Sequence, residues 1–441
     1  RGRKRRMSSM ARRSIPALHP LGILVGSVLT GIGVFVAETF LGPILTRSMT
    51  PPEERILGMV HERLLSSYVE PKDPEWLMHR AVEGMLDGLD DPYTYFVGPE
   101  DLQRLDEDST GKLIGIGVIL DGSTGIVRYP HPDGPAELAG IAPGDRFLSV
   151  DGLDVTQMTT DQIVQAIKGP RGTATRLGLE RQNGTLYETE VVRQPVQRTT
   201  VGRVELLDRD AGIGHIHIRS FARTTPAELD QALDQLYSTE LRGLVLDLRF
   251  NTGGLLDAAV NIASRFLKGG PVCSLQVRDG DDLVRVADAK LSRAADIPLV
   301  VLLNRRSASG SEVLAGALRD RGAAILVGEQ SYGKGVYQQV HRYRTGNFAL
   351  KFTAGYYLTP SGRILEGNTD HSRGGGLLPD LPVAVNLEQS GEIQGWLGYD
   401  FPPAKYREQV FNLFPRVAEL KAPADPVLNT ALKHLQKVIQ A

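Results

Sequence analysis

Ser309 and Lys334 are the residues whose types and surroundings best suit chemistry. Ser309 lies in Asn304-Arg-Arg-Ser307-Ala308-Ser309-Gly310-Ser311-Glu312, between an apolar strand and a helix. A nucleophile placed there has free backbone N–H groups and the positive end of the helix dipole beside it, ready for the negative oxygen that develops during acyl transfer. Ala308 and Gly310 are small enough to let a substrate backbone approach. The competing reading is plain helix capping, a role for which serine is favoured.

A serine hydroxyl needs a base, and Lys334 in Gly333-Lys334-Gly335 is the candidate. An ordinary lysine titrates near about 10.4, so its pKa must fall by several units, which burial without a partner acid supplies. The apolar runs Leu299 to Leu303 and Ala323 to Val327 are available to dry the site, and Gln338 could orient the amine without adding charge. A Ser–Lys pair is a known variant of the serine triad. The second amide of an oxyanion site is sought in Asp247-Leu-Arg249-Phe-Asn251-Thr-Gly253-Gly254, where Gly253 and Gly254 can turn N–H groups into a cleft beside that of Gly310.

Other chemistries fit less well. Gly328 to Lys334 fits G-x-x-x-x-G-K, but Gly335 stands where a phosphate loop needs Ser or Thr, and a strand rather than a helix follows. His215 and His217 share a strand face without a Cys or carboxylate cluster to complete a metal site, so no metal or cofactor is expected. His341 is the one rival base. Cys273, the single cysteine, reads as a small buried hydrophobe and excludes an internal disulfide framework. A net charge of -2 gives no basic excess for nucleic acid.

These residues need a frame, and 441 residues with 41% hydrophobic content suffice for several domains. Arg and Lys residues crowd positions 1–20 and precede an apolar run, 21–41, whose only charge is Glu38. This is expected to be a retained transmembrane signal anchor with the basic segment cytoplasmic and the rest periplasmic; a cleaved signal peptide is the rival. Because the chain opens on Arg, Met7 or Met10 could be the start. Residues 51–96 read as a helical hairpin ended by Asp90-Asp91-Pro92-Tyr93, and 97–195 as a β half-barrel with two helices. Strands and helices alternate over 200–382, the pattern of an α/β core with largely parallel strands, closing on a β-ribbon from Val336 to Leu358. Residues 395–441 read as a helical tail.

In the half-barrel, the strand opened by Leu113-Ile114-Gly115-Ile116-Gly117 carries glycine-flanked amides that could cup a chain-terminal carboxylate. A groove between it and the helix bearing Ile163 and Ile167 would take an extended peptide as an added strand.

The ordered set Gly115-Ile-Gly117, Gly134-Pro-Ala, Gly144-Asp145, Leu248 to Gly254, Ser307 to Glu312 and Gly333-Lys334-Gly335 resembles the carboxyl-terminal processing, or tail-specific, proteases over roughly 52 to 382. The resemblance implies a crotonase-like core with an inserted PDZ domain and serine endopeptidase activity outside the cytoplasm. It implies Ser309 as nucleophile, Lys334 as general base, Gln338 positioning the lysine, and the amides of Gly310 and the Gly253/Gly254 turn as oxyanion hole. The PDZ domain of such proteins binds substrate tails and helps switch on the site. The expected partners are polypeptides with accessible C-termini and the membrane, with room for a regulatory adaptor or a homo-oligomer. Thr252 departs from the proline usual in that turn, and Tyr337 occupies a variable position. The alternative is a silent, membrane-tethered PDZ scaffold.

Overall fold

The computed structural model describes residues 52–122, 125–343, 348–367 and 375–441. The expected basic segment and membrane anchor, 1–41, lie outside them. Among the described residues no helix is long and apolar enough to cross a membrane.

The chain divides after Leu89. In the first unit Pro52–Ser67 and Pro74–Asp87 form the two helices of the expected hairpin. Asp73 caps the second helix, accepting the Trp76 N–H at 2.7 Å. The expected helical region ran to residue 96, but the helices stop at Asp87, and Tyr95–Val97 is a strand of the second unit, paired antiparallel with Ala349–Leu358. Its aromatic and branched side chains suit a pleated surface better than a helix.

The second unit is built on a six-stranded sheet in the order Val201–Asp208, Ile213–Ile218, Gly243–Asp247, Leu299–Leu303, Ile325–Gly328, Leu381–Pro382. Only the first pair is antiparallel. Its strands are apolar without alternation because both faces are covered. Leu244, Leu246, Val301 and Leu303 face helices Thr225–Tyr237, Leu256–Phe266 and Gly310–Asp320. Val245, Val300 and Leu302 face the C-terminal helix Pro426–Gln440 through Val427, Ala431 and Leu435. Each such fully buried side chain contributes about 1.5–3 kcal/mol. A second sheet pairs the ribbon Val336–Arg342 and Ala349–Leu358 with Gly270–Val277 and Leu283–Ala287.

The half-barrel has its own core, including Ile116, Val127, Phe147, Ile163, Leu177 and Leu179. It was expected to begin at residue 97, yet 99–110 is a helix, Pro99–Thr110. The small unit is joined to the large one through the strand pair Lys112–Gly115 with Gln194–Gln197, and through an aromatic cluster of Tyr129 with Tyr406, Val410 and Val417.

Candidate active site

Ser309 is the residue before helix Gly310–Asp320 and holds φ 54, ψ -114, a conformation that L side chains rarely adopt. Such backbone strain costs about 1–3 kcal/mol and persists only where the surroundings over-determine it. Here they do. Ser307 Oγ donates to Leu248 O at 2.9 Å and accepts Asn304 N–H at 3.0 Å. Ala308 N–H and Ser311 Oγ both donate to Asn251 O, at 3.1 and 2.9 Å. The nucleophile loop is thereby tied to the Asp247–Gly254 turn.

That turn comes close enough to Ser309 to exclude any side chain at position 253. A Cβ there would lie 2.8 Å from Ser309 Cβ. The Gly253 N–H, expected as an oxyanion donor, instead donates to Asn251 Oδ1 at 2.8 Å, because the asparagine side chain folds back over its own turn. The N–H groups of Gly254 and Gly310 have no acceptor among the described residues. Arg249 and Asp247 anchor the start of the turn, with Arg249 Nη2 at 2.7 Å from both Asp247 Oδ2 and Asp425 Oδ2. Asp247 is fully buried, which raises its pKa, but Arg249 and then His215 overcome this and hold the carboxyl well below its usual range.

Lys334 is half-buried, with its amine 4.6 Å from the centre of the Tyr93 ring. Burial, and secondarily the Lys351 charge, lower its pKa, against the opposing pull of Glu366 and Asp91. Gln338 does not touch the amine. Its Nε2 donates to Tyr93 O at 2.5 Å, so it supports the lysine through the ring beneath it. Tyr93 is held in turn by Asp91, which accepts the Tyr93 N–H at 2.9 Å. No hydrogen bond joins Ser309 Oγ to Lys334 Nζ among the described residues.

Two site residues escaped the sequence reading. Glu312, fully buried, accepts the N–H groups of Ser309 and Lys334 on one oxygen, both at 2.9 Å. Its other oxygen accepts Gly333 N–H at 2.7 Å and Ser331 Oγ at 2.5 Å. Ser331 Oγ itself accepts Leu377 N–H, so its proton goes to Glu312. Four donors on two oxygens demand a carboxylate, although burial pushes its pKa up. The S-x-x-E spacing of a capping box was the available signal. Tyr93 was hidden in a segment read only as a helix breaker.

The rival groups are placed otherwise. His215 is buried between Glu205 and Asp247, 3.3 Å from each. Burial disfavours its charge, but the two carboxylates outweigh this and raise its pKa. His217 Nε2 faces Arg249 O, and burial pulls its pKa down to about 4. Among the described residues no cluster of His, Cys, Asp and Glu could hold a metal ion. His341 is exposed and meets Tyr343 edge-on. Burial pushes the Cys273 thiol up to about 12.

In the half-barrel, Leu113, Ile114, Gly115, Ile116, Gly117 and Ile167 line a cavity of about 1340 Å³. Ile163, expected on its wall, is 2% exposed and belongs to the half-barrel core, where its side chain packs close to Gly125. Val164, one position on, lines the cavity instead.

With this arrangement in view, residues 212–383 match the sequence model of peptidase family S41, and 126–181 that of the PDZ domain. The chain belongs to the carboxy-terminal processing proteases of that family. It is 32% identical over 384 residues to the carboxy-terminal-processing protease of Bartonella bacilliformis, covering 83% of each chain. To a probable CtpA-like serine protease of Staphylococcus haemolyticus it is 31% identical, covering 83% of this chain and 73% of that one. Among solved structures, the photosystem II D1 C-terminal processing protease aligns at 31% identity and a TM-score of 0.43, over 77% of this chain and 90% of that one.

Proposed function

We propose that this chain is a serine endopeptidase that cuts polypeptides near their C-termini through a Ser309–Lys334 dyad, on a crotonase-like core. The neutral Lys334 amine takes the Ser309 Oγ proton as that oxygen adds to the scissile carbonyl carbon. The oxyanion is received by the N–H groups of Gly254 and Gly310. As the tetrahedral intermediate collapses the C–N bond breaks, and the lysine ammonium gives its proton to the departing amine. Water, deprotonated by the same amine, then attacks the acyl-enzyme and releases Ser309. Gly253 serves this scheme by having no side chain, and Gln338 by fixing Tyr93.

The observation that carries the reading is the single oxygen of Glu312 that accepts the backbone amides of both Ser309 and Lys334. Two loops 25 positions apart in sequence are thereby held in one register, as a two-residue reaction requires. Substrate tails dock in the cavity along Leu113–Gly117 and Ile167, and the run 21–41 anchors the chain in the membrane with these domains periplasmic. Fractionation of the full chain with membranes, and its release when 1–41 is removed, checks the anchor.

A silent scaffold draws on the missing contact between Ser309 Oγ and Lys334 Nζ. One experiment separates the two. Ser309→Ala is expected to abolish cleavage of a nonpolar-tailed polypeptide while leaving its binding intact, whereas a wild-type chain that binds tails without any turnover would favour the scaffold.

A further inference from the structure

The two family matches end at residue 383, and neither assigns 384–441. Part of that segment is wedged between the half-barrel and the large sheet. On one side, Tyr129 Oη donates to Asp400 O and Phe401 O at 3.2 and 3.3 Å, and Tyr129 stacks on Tyr406 at 6.4 Å. Lys405 pairs with Glu137 at 2.6 Å. On the other side, Arg219 Nη1 meets Asp400 Oδ1 at 2.5 Å, and its Nη2 donates to Tyr399 O at 3.1 Å. Asp400 and its neighbours are thus gripped from both bodies.

Arg219 stands two residues before Phe221, and Phe221 is the partner of the oxyanion turn. Its N–H donates to Gly253 O at 3.0 Å, and its O accepts Leu255 N–H at 2.7 Å. A Cβ on Gly254 would lie 2.2 Å from Phe221 O, and one on Gly310 3.2 Å from the Phe221 ring. A shift of Arg219 along its strand would therefore be felt at both amides assigned to the oxyanion.

The same residues wall the large cavity. Tyr129, Arg219, Tyr399, Asp400 and Phe401 face the carboxylate-cupping strand across it. Its lining carries Lys168, Arg198, Arg203, Arg219 and Arg407 against Glu107, Glu205 and Asp400, a balance that suits a chain ending in a carboxylate. It also carries buried polar atoms without a hydrogen-bond partner among the described residues: His217 Nδ1, Arg219 Nε, Arg203 Nε and Tyr399 Oη. Buried orphans of this kind call for an explanation, and a peptide backbone rich in acceptors would satisfy the donors among them.

We propose that the segment around Asp400 is the second wall of the tail cavity and, through its Arg219 latch, reports tail occupancy to the oxyanion turn. This rests on the dyad reading above. A tail that fills the cavity presses on residues 399–401, and Asp400 transmits the change to Arg219 and hence to Phe221, Gly254 and Gly310. Arg219 and Asp400 are positioning residues and touch no reacting atom.

The test uses the full chain and a quenched peptide substrate amidated at its C-terminus, with a short, free-carboxyl, apolar-tailed peptide added in trans. In wild type that peptide is expected to raise kcat/KM at least about fivefold; with Asp400→Asn or Arg219→Gln the ratio falls to within about twofold of one, and the double variant falls no further. Tyr129→Phe, which keeps the ring stack and removes only the hydroxyl, is expected to lose part of the stimulation, and it guards against a misfolded latch variant. Ser309-dependent cleavage that the tail does not stimulate, or stimulation that survives in all three variants, overturns the latch and leaves the dyad standing. Cleavage that survives Ser309→Ala overturns both.

Discussion

At the scale of single residues, the site depends on one amine being neutral at working pH. Burial is the main cause of the lowered Lys334 pKa, and the neighbouring charges offer handles on it. As Lys334 sheds its proton the base becomes available, so kcat/KM is expected to rise with pH along a limb whose midpoint lies below that of an ordinary lysine. Lys351→Met removes a repelling charge and should move that limb to higher pH; Asp91→Asn removes an attracting one and should move it lower. A pH profile of the two variants beside wild type checks both signs. The stability linkage runs the same way. A lysine depressed in the fold binds fewer protons there than when unfolded, so its contribution to stability grows as pH rises between the folded and unfolded pKa values. Gly253 makes a steric prediction. A methyl group 2.8 Å from Ser309 Cβ, at φ +106, must push turn and nucleophile apart. Since about 1 Å of misplacement can cost on the order of a hundredfold, Gly253→Ala should lose at least about that in kcat with tail binding retained, read by steady-state kinetics.

Among the elements, the sequence exposed those whose periodicity was strong and concealed those held by context. The strand Leu299–Leu303 and the helix after Ser309 were readable because five apolar residues run straight into a capping serine. Helix Pro99–Thr110 was not, since PEDLQRLDEDST offers Leu102 and Leu105 alone as an apolar face. Glu312 and Tyr93 stayed hidden for a different reason. Their roles arise from contacts 22 and 241 positions away along the chain, to Lys334 N–H and the Lys334 amine, which no local pattern encodes. The C-terminal helix reads as an ordinary packing stripe, yet Asp425 both caps it, accepting Leu428 N–H at 3.0 Å, and takes two bonds from Arg249 at the root of the oxyanion turn. Removing one partner of a buried pair leaves the other charge uncompensated, at about 3–5 kcal/mol. Asp425→Ala is therefore expected to lower the denaturant midpoint by a corresponding amount, and to depress kcat beyond what Leu435→Ala does at equal loss of stability.

For the whole molecule, the question is how far the half-barrel and the large sheet fold as one. Their apolar cores share no residue: Ile116, Phe147, Leu177 and their neighbours form one, and the faces of the six-stranded sheet form the others. What joins them is a short strand pair, the grip on Asp400, and the aromatic cluster in which Tyr406 is 8% exposed. A junction so small is a natural place for cooperativity to fail, as in multidomain chains whose units open separately. Truncating a large buried aromatic costs about 3–5 kcal/mol, and here that loss falls on the junction and spares both cores. Tyr406→Ala should therefore split a single calorimetric unfolding peak into two, the smaller belonging to the half-barrel. Its hydrogen-exchange protection should fall at Val127–Pro130 while that of Gly243–Asp247 is unchanged. A single peak merely shifted to lower temperature would mean that the strand pair Lys112–Gly115 with Gln194–Gln197 carries the coupling by itself.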